Sequence, residues 1–292
     1  MKRINGYLQI GDFKKIDKKI EKSMFAKFWL TDGKKEYLFK KLNILLAYKE
    51  LFYSQIIKEL GLSSVKNDLA VRGKQFGIIS ENYNPNNYPV FSINKIVNDY
   101  WDDLIEKIEK YQMFELSPTI SYEHDYNLEN LPNILKWFFS HNGLIYDSSI
   151  EEGLILQFII QILLGNSDLR APNIEIYVDG IPKFSPYYDF NHYGTVNIEN
   201  SMYCFLHHAR QSKGKEVAKT TIENFIKTEK RKNIEQLKKY LEKTKELNLD
   251  FILNGIKEHT KAIVSEEIQL LLKKELVENL KNVDSIIKGN FR

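Results

Sequence analysis

Residues 165–191 read GNSDLRAPNIEIYVDGIPKFSPYYDFN. An apolar run, residues 154–164, precedes them, interrupted only by Gln157 and Gln161. That run is too short to span a bilayer and predicts a buried helix. Asp168 and Asn173 then fall in a loop. Ile174 to Val178, Asp179-Gly180 and Lys183 to Tyr188 predict a β-hairpin with an Asp-Gly turn. Asp189 stands just past the second strand.

Two carboxylates and an amide in this order suit phosphoryl transfer. One carboxylate, Asp168, can take or orient the proton of an attacking hydroxyl. The amide oxygen of Asn173 and the carboxylate of Asp189 can hold Mg2+ against nucleotide phosphates. Magnesium takes oxygen ligands and commonly uses only one or two carboxylates, with phosphates and water completing its shell. An Asp, an Asn five positions on, a hairpin and a further Asp have protein-kinase spacing. Asp189-Phe190-Asn191 stands where kinases commonly have Asp-Phe-Gly.

Working outward, such chemistry also needs a small-lobe lysine paired with a helix glutamate. Residues 7–10 and 24–30 read as strands, and Thr31-Asp32-Gly33 is a turn before the strand 36–40. Lys40 ends that strand, and Glu50 lies on a helix expected over 47–60 and stopped by Gly61. Lys41 competes for the role, but neighbours on a strand face opposite ways. Lys40 is favoured because it shares a face with Leu38. Residues 69–71 and 76–79 predict another strand pair, and the Asn-, Tyr- and Pro-rich stretch 81–88 a connection. The expected architecture is α+β and bilobal, with a β-rich nucleotide-binding lobe over 1–84 and a helical catalytic lobe over 85–292.

Lys plus Arg number 42 and Asp plus Glu 39, a formal charge of +3, so composition gives no global argument for nucleic acid or membrane. Cys204 is the single cysteine, which excludes an intramolecular disulfide and a cysteine zinc cluster. The N-terminus lacks the apolar core of a secretion signal, and a cytoplasmic protein is expected. Glu123-His124-Asp125 lacks a second ligand group at a recognised spacing. The basic stretch 227–245 carries glutamates at helical pair spacing and predicts a solvated helix face. Direct nucleic-acid binding is therefore not expected.

The chain resembles the HipA-like Ser/Thr kinase family, in its short, stand-alone form similar to CtkA-type bacterial kinases. ELFYSQIIKELGL, residues 50–62, is similar to the family's glutamate helix. Leu164-Gly165-Asn166-Ser167-Asp168 resembles its catalytic-loop opening, and Phe184-Ser185-Pro186-Tyr187-Tyr188-Asp189 its metal-binding segment. Glu81-Asn82-Tyr83 matches its hinge pattern, which implies adenine contacts from the backbone of Glu81 and Tyr83. Lys27 matches a lysine that follows the phosphate loop, and Ser23 is a candidate for autophosphorylation. The resemblance implies ATP and Mg2+ as cofactors, a protein substrate and a partner antitoxin or regulator. The chain departs from the family in lacking glycine over 16–27 and in reading Asp168-Leu169-Arg170 where Asp-(Arg/Gly)-His is usual. A pseudokinase serving as a binding module and a kinase acting on a small molecule are the alternative readings.

Overall fold

The computed structural model describes residues 2–18, 25–110, 131–165, 174–190, 231–261 and 264–290. The chain divides into two compact units. One gathers the described residues of Met1–Asn87, Pro186–Thr195 and Tyr240–Lys281; the other gathers those of Tyr88–Ser185, Val196–Lys239 and Asn282–Arg292.

The first unit is built on a seven-stranded sheet in the order β1-β2-β6-β7-β5-β4-β3. The strands are β1 (Arg3–Ile4), β2 (Tyr7–Gln9), β3 (Lys14–Lys15), β4 (Lys27–Thr31), β5 (Glu36–Lys41), β6 (Asn67–Arg72) and β7 (Gln75–Glu81). Only β2 and β6 pair in parallel. The turn between β4 and β5 is held by Asp32, whose carboxylate accepts from the backbone of Lys34 and Lys35 at 2.9 and 2.8 Å. Gly33 beside it has φ +89°, a conformation that glycine takes without a Cβ clash. Leu30, Phe39, Ala70 and Ile79 pack on one face of the sheet with Ile10 and Phe13.

α1 (Ile44–Glu59) covers the other face of β6 and β7. It begins three residues earlier than expected, because the Asn43 side chain accepts from the Leu46 N–H at 2.9 Å and caps it. It stops as expected: Gly61 is left-handed at φ +79°, and the Leu62 N–H reaches back to the Ile57 carbonyl at 3.0 Å. A buried relay ties α1 to the sheet. Asn67 donates to the Ser54 hydroxyl at 2.8 Å, and Ser80 donates to Asn67 at 2.6 Å.

Gly77 is a requirement of this sheet. A Cβ there would lie 2.0 Å from the Lys40 carbonyl oxygen and 3.1 Å from the Lys41 Cα. Both atoms are backbone, so β5 and β7 must separate to admit a methyl group. Gly77→Ala is expected to destabilise the protein by about 3 kcal/mol, the upper range of overpacking. Chemical denaturation checks this; an unchanged midpoint would show that the strand pair yields freely.

In the second unit β8 (Val90–Ser92), β9 (Glu175–Asp179) and β10 (Ile181–Phe184) form an antiparallel sheet in the order β10-β9-β8. The hairpin lies where the sequence predicts it, but β10 ends at Phe184 rather than Tyr188. Ser185 still donates to the Glu175 carbonyl at 2.8 Å. Pro186 follows with no N–H to continue the ladder. The strand β8 was unexpected; only three residues long, it runs directly into α2 (Ile93–Lys110). α3 (Leu131–His141) and α4 (Ser148–Leu163) complete the core, with Ile96, Leu135, Phe138, Leu154 and Phe158 at its centre. α4 is buried nearly all round, which explains its continuous apolar sequence. Gly153 on α4 lies against Phe184, whose ring a Cβ would approach to 2.8 Å.

Three further helices are described: α5 (Arg231–Lys245), α6 (Leu249–Thr260) and α7 (Glu266–Asn290). On α5, Ile234, Leu237, Leu241 and Thr244 are buried at helical spacing, while Lys238, Lys239, Lys243 and Lys245 are exposed. The basic stretch is thus a solvated face over the residues described. No described helix is long and apolar enough to cross a membrane.

Candidate functional site

Lys27 and Lys40 are direct cross-strand partners on β4 and β5. Like charges placed opposite one another are destabilising unless an anion lies between them. The anion is Asp189. One of its carboxylate oxygens lies 2.7 Å from the Lys40 ammonium and the other 3.6 Å from that of Lys27. Lys40 also donates to Glu50 on α1 at 2.9 Å. Lys40 is 3% exposed and Glu50 1%, whereas Lys41 faces solvent. The strand alternation therefore turns Lys40, not Lys41, toward α1 and Asp189.

Burial alone would push the Lys40 pKa down, but the carboxylates of Glu50 and Asp189 outweigh it and hold the group above its ordinary value of 10.5. The ammonium is therefore charged throughout the neutral range. A lysine whose pKa is raised on folding adds stability in full below its unfolded value and loses it as pH climbs through the folded one. Lys40 is accordingly no source of pH dependence on the acid side.

Asp189 has φ +67°, the left-handed region, one of four non-glycine residues there among those described. An aspartate tolerates this conformation better than most residues, though at a cost on the order of 1 kcal/mol. The backbone around it is held in place. The Tyr187 N–H donates to the Ser63 carbonyl and the Val65 N–H to the Tyr187 carbonyl, each at 3.0 Å. The stretch after α1 therefore fixes the segment that carries Asp189. Phe190 follows fully into the core, its ring 6.0 Å from that of Tyr53 on α1.

Glu81 ends β7, its side chain paired with Lys35 and, at 3.7 Å, with Lys66. Its backbone N–H donates to the Lys66 carbonyl at 3.0 Å. The Tyr83 ring stacks near-parallel, at 16°, with that of Tyr188, centroids 6.5 Å apart. Tyr188 is a neighbour of the site that sequence reasoning did not single out. Asp168, Asn173, Ser23, Arg170 and Cys204 lie outside the described residues, as do Glu123, His124 and Asp125. Among the described residues no three His, Cys, Asp or Glu side chains gather as a metal site. The residues described nevertheless fit Mg-nucleotide. The Asp189 carboxylate, 14% exposed and flanked by two ammonium groups, is a hard oxygen donor beside two cations suited to phosphate oxygens.

No protein-family model and no curated protein matches the sequence. Solved structures do match. The proinflammatory kinase CtkA of Helicobacter pylori aligns over 97% of this chain and 98% of its own, at 15% identity and a TM-score of 0.62. HipA of Shewanella oneidensis, solved with HipB and operator DNA of its toxin–antitoxin system, aligns over 94% of this chain and 67% of its own, at 12% identity and a TM-score of 0.55. What the three chains share at such low identity is architecture, and this chain has the α+β, HipA/CtkA kinase-like fold.

Proposed function

We propose that the protein is an ATP- and Mg2+-dependent Ser/Thr protein kinase of the HipA-like type. The observation that carries this reading is the buried Lys40–Glu50 pair joined through Lys40 to Asp189, with Lys27 alongside. Two lysines opposed on neighbouring strands call for an anion between them, and here one carboxylate, Asp189, serves both. Two lysines sharing one partly exposed carboxylate, with Glu50 holding the deeper lysine, are suited to receive the phosphates of a nucleotide between them.

In this reading Lys40 orients the α- and β-phosphates and Glu50 holds Lys40 in place. Lys27 meets a further phosphate oxygen. Asp189, with Asn173, holds the magnesium, and Asp168 accepts the proton of the attacking hydroxyl. The bound metal would offset phosphate charge during transfer. Any adenine contact from Glu81 must come from its carbonyl, since its N–H is already engaged with Lys66. Tyr83 supplies the second backbone contact. The proposed division is a nucleotide-binding lobe over 1–84 and a catalytic lobe over 85–292. The HipB-bound neighbour supports a protein regulator such as an antitoxin, and a cytoplasmic protein substrate fits the same reading.

Labelled ATP and Mg2+ incubated with the purified protein, beside Asp168→Ala, test the proposal. Transfer or autophosphorylation is expected in the parent and lost by about a hundredfold or more in the variant, the usual worth of a positioned base. Nucleotide binding without transfer would favour the pseudokinase, and an absence of nucleotide binding would overturn the reading.

A further inference from the structure

Lys49 and Glu50 are successive residues of α1, both buried and both ion-paired, in different directions. Successive helical side chains diverge by about 100°. Glu50 therefore meets Lys40 on the sheet, while Lys49 donates to Glu275 of α7 at 2.7 Å. The Lys49 side chain is 5% exposed and that of Glu275 17%. Tyr53, one turn further along α1, joins the two sides. Its ring lies 5.8 Å from the Lys49 ammonium and 6.0 Å from the ring of Phe190, the residue after Asp189. Burial and the Glu275 carboxylate push the Tyr53 hydroxyl pKa up, so it stays neutral beside this pair.

A buried ion pair adds little net stability, but removing one partner leaves the other charge stranded. A stranded Lys49 has a four-carbon stem and a strongly hydrated head, so it seeks water. Its side chain is only 5% exposed, so reaching water favours a roll or lift of its helix. That motion withdraws Glu50, because the two residues share one rigid turn.

We infer that Glu275 of α7 is a positioning residue for the site: by neutralising Lys49 it sets the rotation of α1 and so keeps Glu50 on Lys40. α7 thereby acts on the site through α1 without touching Lys40. The consequence for phosphate transfer rests on the kinase reading; the consequence for Lys40 does not.

The experiment follows acylation of Lys40 by an amine-reactive reagent, read by peptide mass spectrometry without nucleotide, with amide exchange of β6 measured in parallel. Glu275→Ala is expected to speed Lys40 labelling about tenfold while β6 amides stay protected, as local opening does. Lys49→Met combined with Glu275→Leu, which leaves no stranded charge, is expected to return Lys40 to parental protection and to fold as the parent does. In transfer assays Glu275→Ala should raise the KM for Mg-ATP about tenfold, and the double variant should restore it. Unchanged Lys40 protection in Glu275→Ala, or equal opening of β6, would overturn the inference. If the parent binds no ATP the kinase reading fails, and the labelling result still decides the role of Glu275.

Discussion

On the proposed reading, replacing Asp189 with alanine is expected to abolish Mg2+-dependent transfer, lowering it about a thousandfold or more, while the protein stays folded. The two halves of this expectation have separate causes. Stability survives because Lys40 keeps Glu50 at 2.9 Å when Asp189 is removed, so the buried ammonium retains a partner. Lys27 is less deeply placed and can turn to solvent. Transfer fails because the carboxylate would bind the metal, and charge stabilisation of this kind is worth about 4 kcal/mol, or about a thousandfold. Calorimetry with ATP, with and without Mg2+, supplies the second measurement. The parent should gain affinity on adding the metal, and Asp189→Ala should not. The φ of +67° at Asp189 adds an internal control. Asp189→Gly relieves the backbone strain that alanine would keep, so it should be the more stable variant and equally inactive. A fully active Asp189→Ala would remove Asp189 from the site.

How much of this was legible in the sequence depends on the range of the interaction. The Lys40–Glu50 pair spans ten positions and could be read from a strand followed by a helix. The helix stop at Gly61 and the turn at Asp32-Gly33 are local, and both appear as expected. The aromatic residues Tyr187 and Tyr188 suggest a longer β10, but the missing N–H of Pro186 ends the ladder at Phe184. β8 escaped notice because three residues give alternation too little length to register. Gly77 looks like any glycine until the pairing with Lys41 places its missing Cβ against the Lys40 carbonyl. Lys49 and Glu275 stand 226 residues apart, and no local pattern announces such a pair. The left-handed Asp189 is likewise a product of tertiary bonds, those between Tyr187 and the residues after α1.

Lys40→Met should lower transfer by about a hundredfold or more and also destabilise the fold, and the two effects can be separated. The methionine keeps most of the buried volume but removes both ion pairs. Glu50, 1% exposed, then loses the Lys40 ammonium. Stranding one member of a buried pair costs about 3–5 kcal/mol. Adding Glu50→Leu to Lys40→Met removes the buried acid along with its lost partner, so the double variant should recover most of that stability in a denaturant titration. It should recover none of the transfer, because the ammonium proposed to orient the phosphates is still absent. This opposite response distinguishes a functional lysine from a structural one. Were Lys40 there only to satisfy Glu50, stability and activity would return together. A double variant that is both stable and active would therefore reduce the Lys40–Glu50–Asp189 cluster to a packing device.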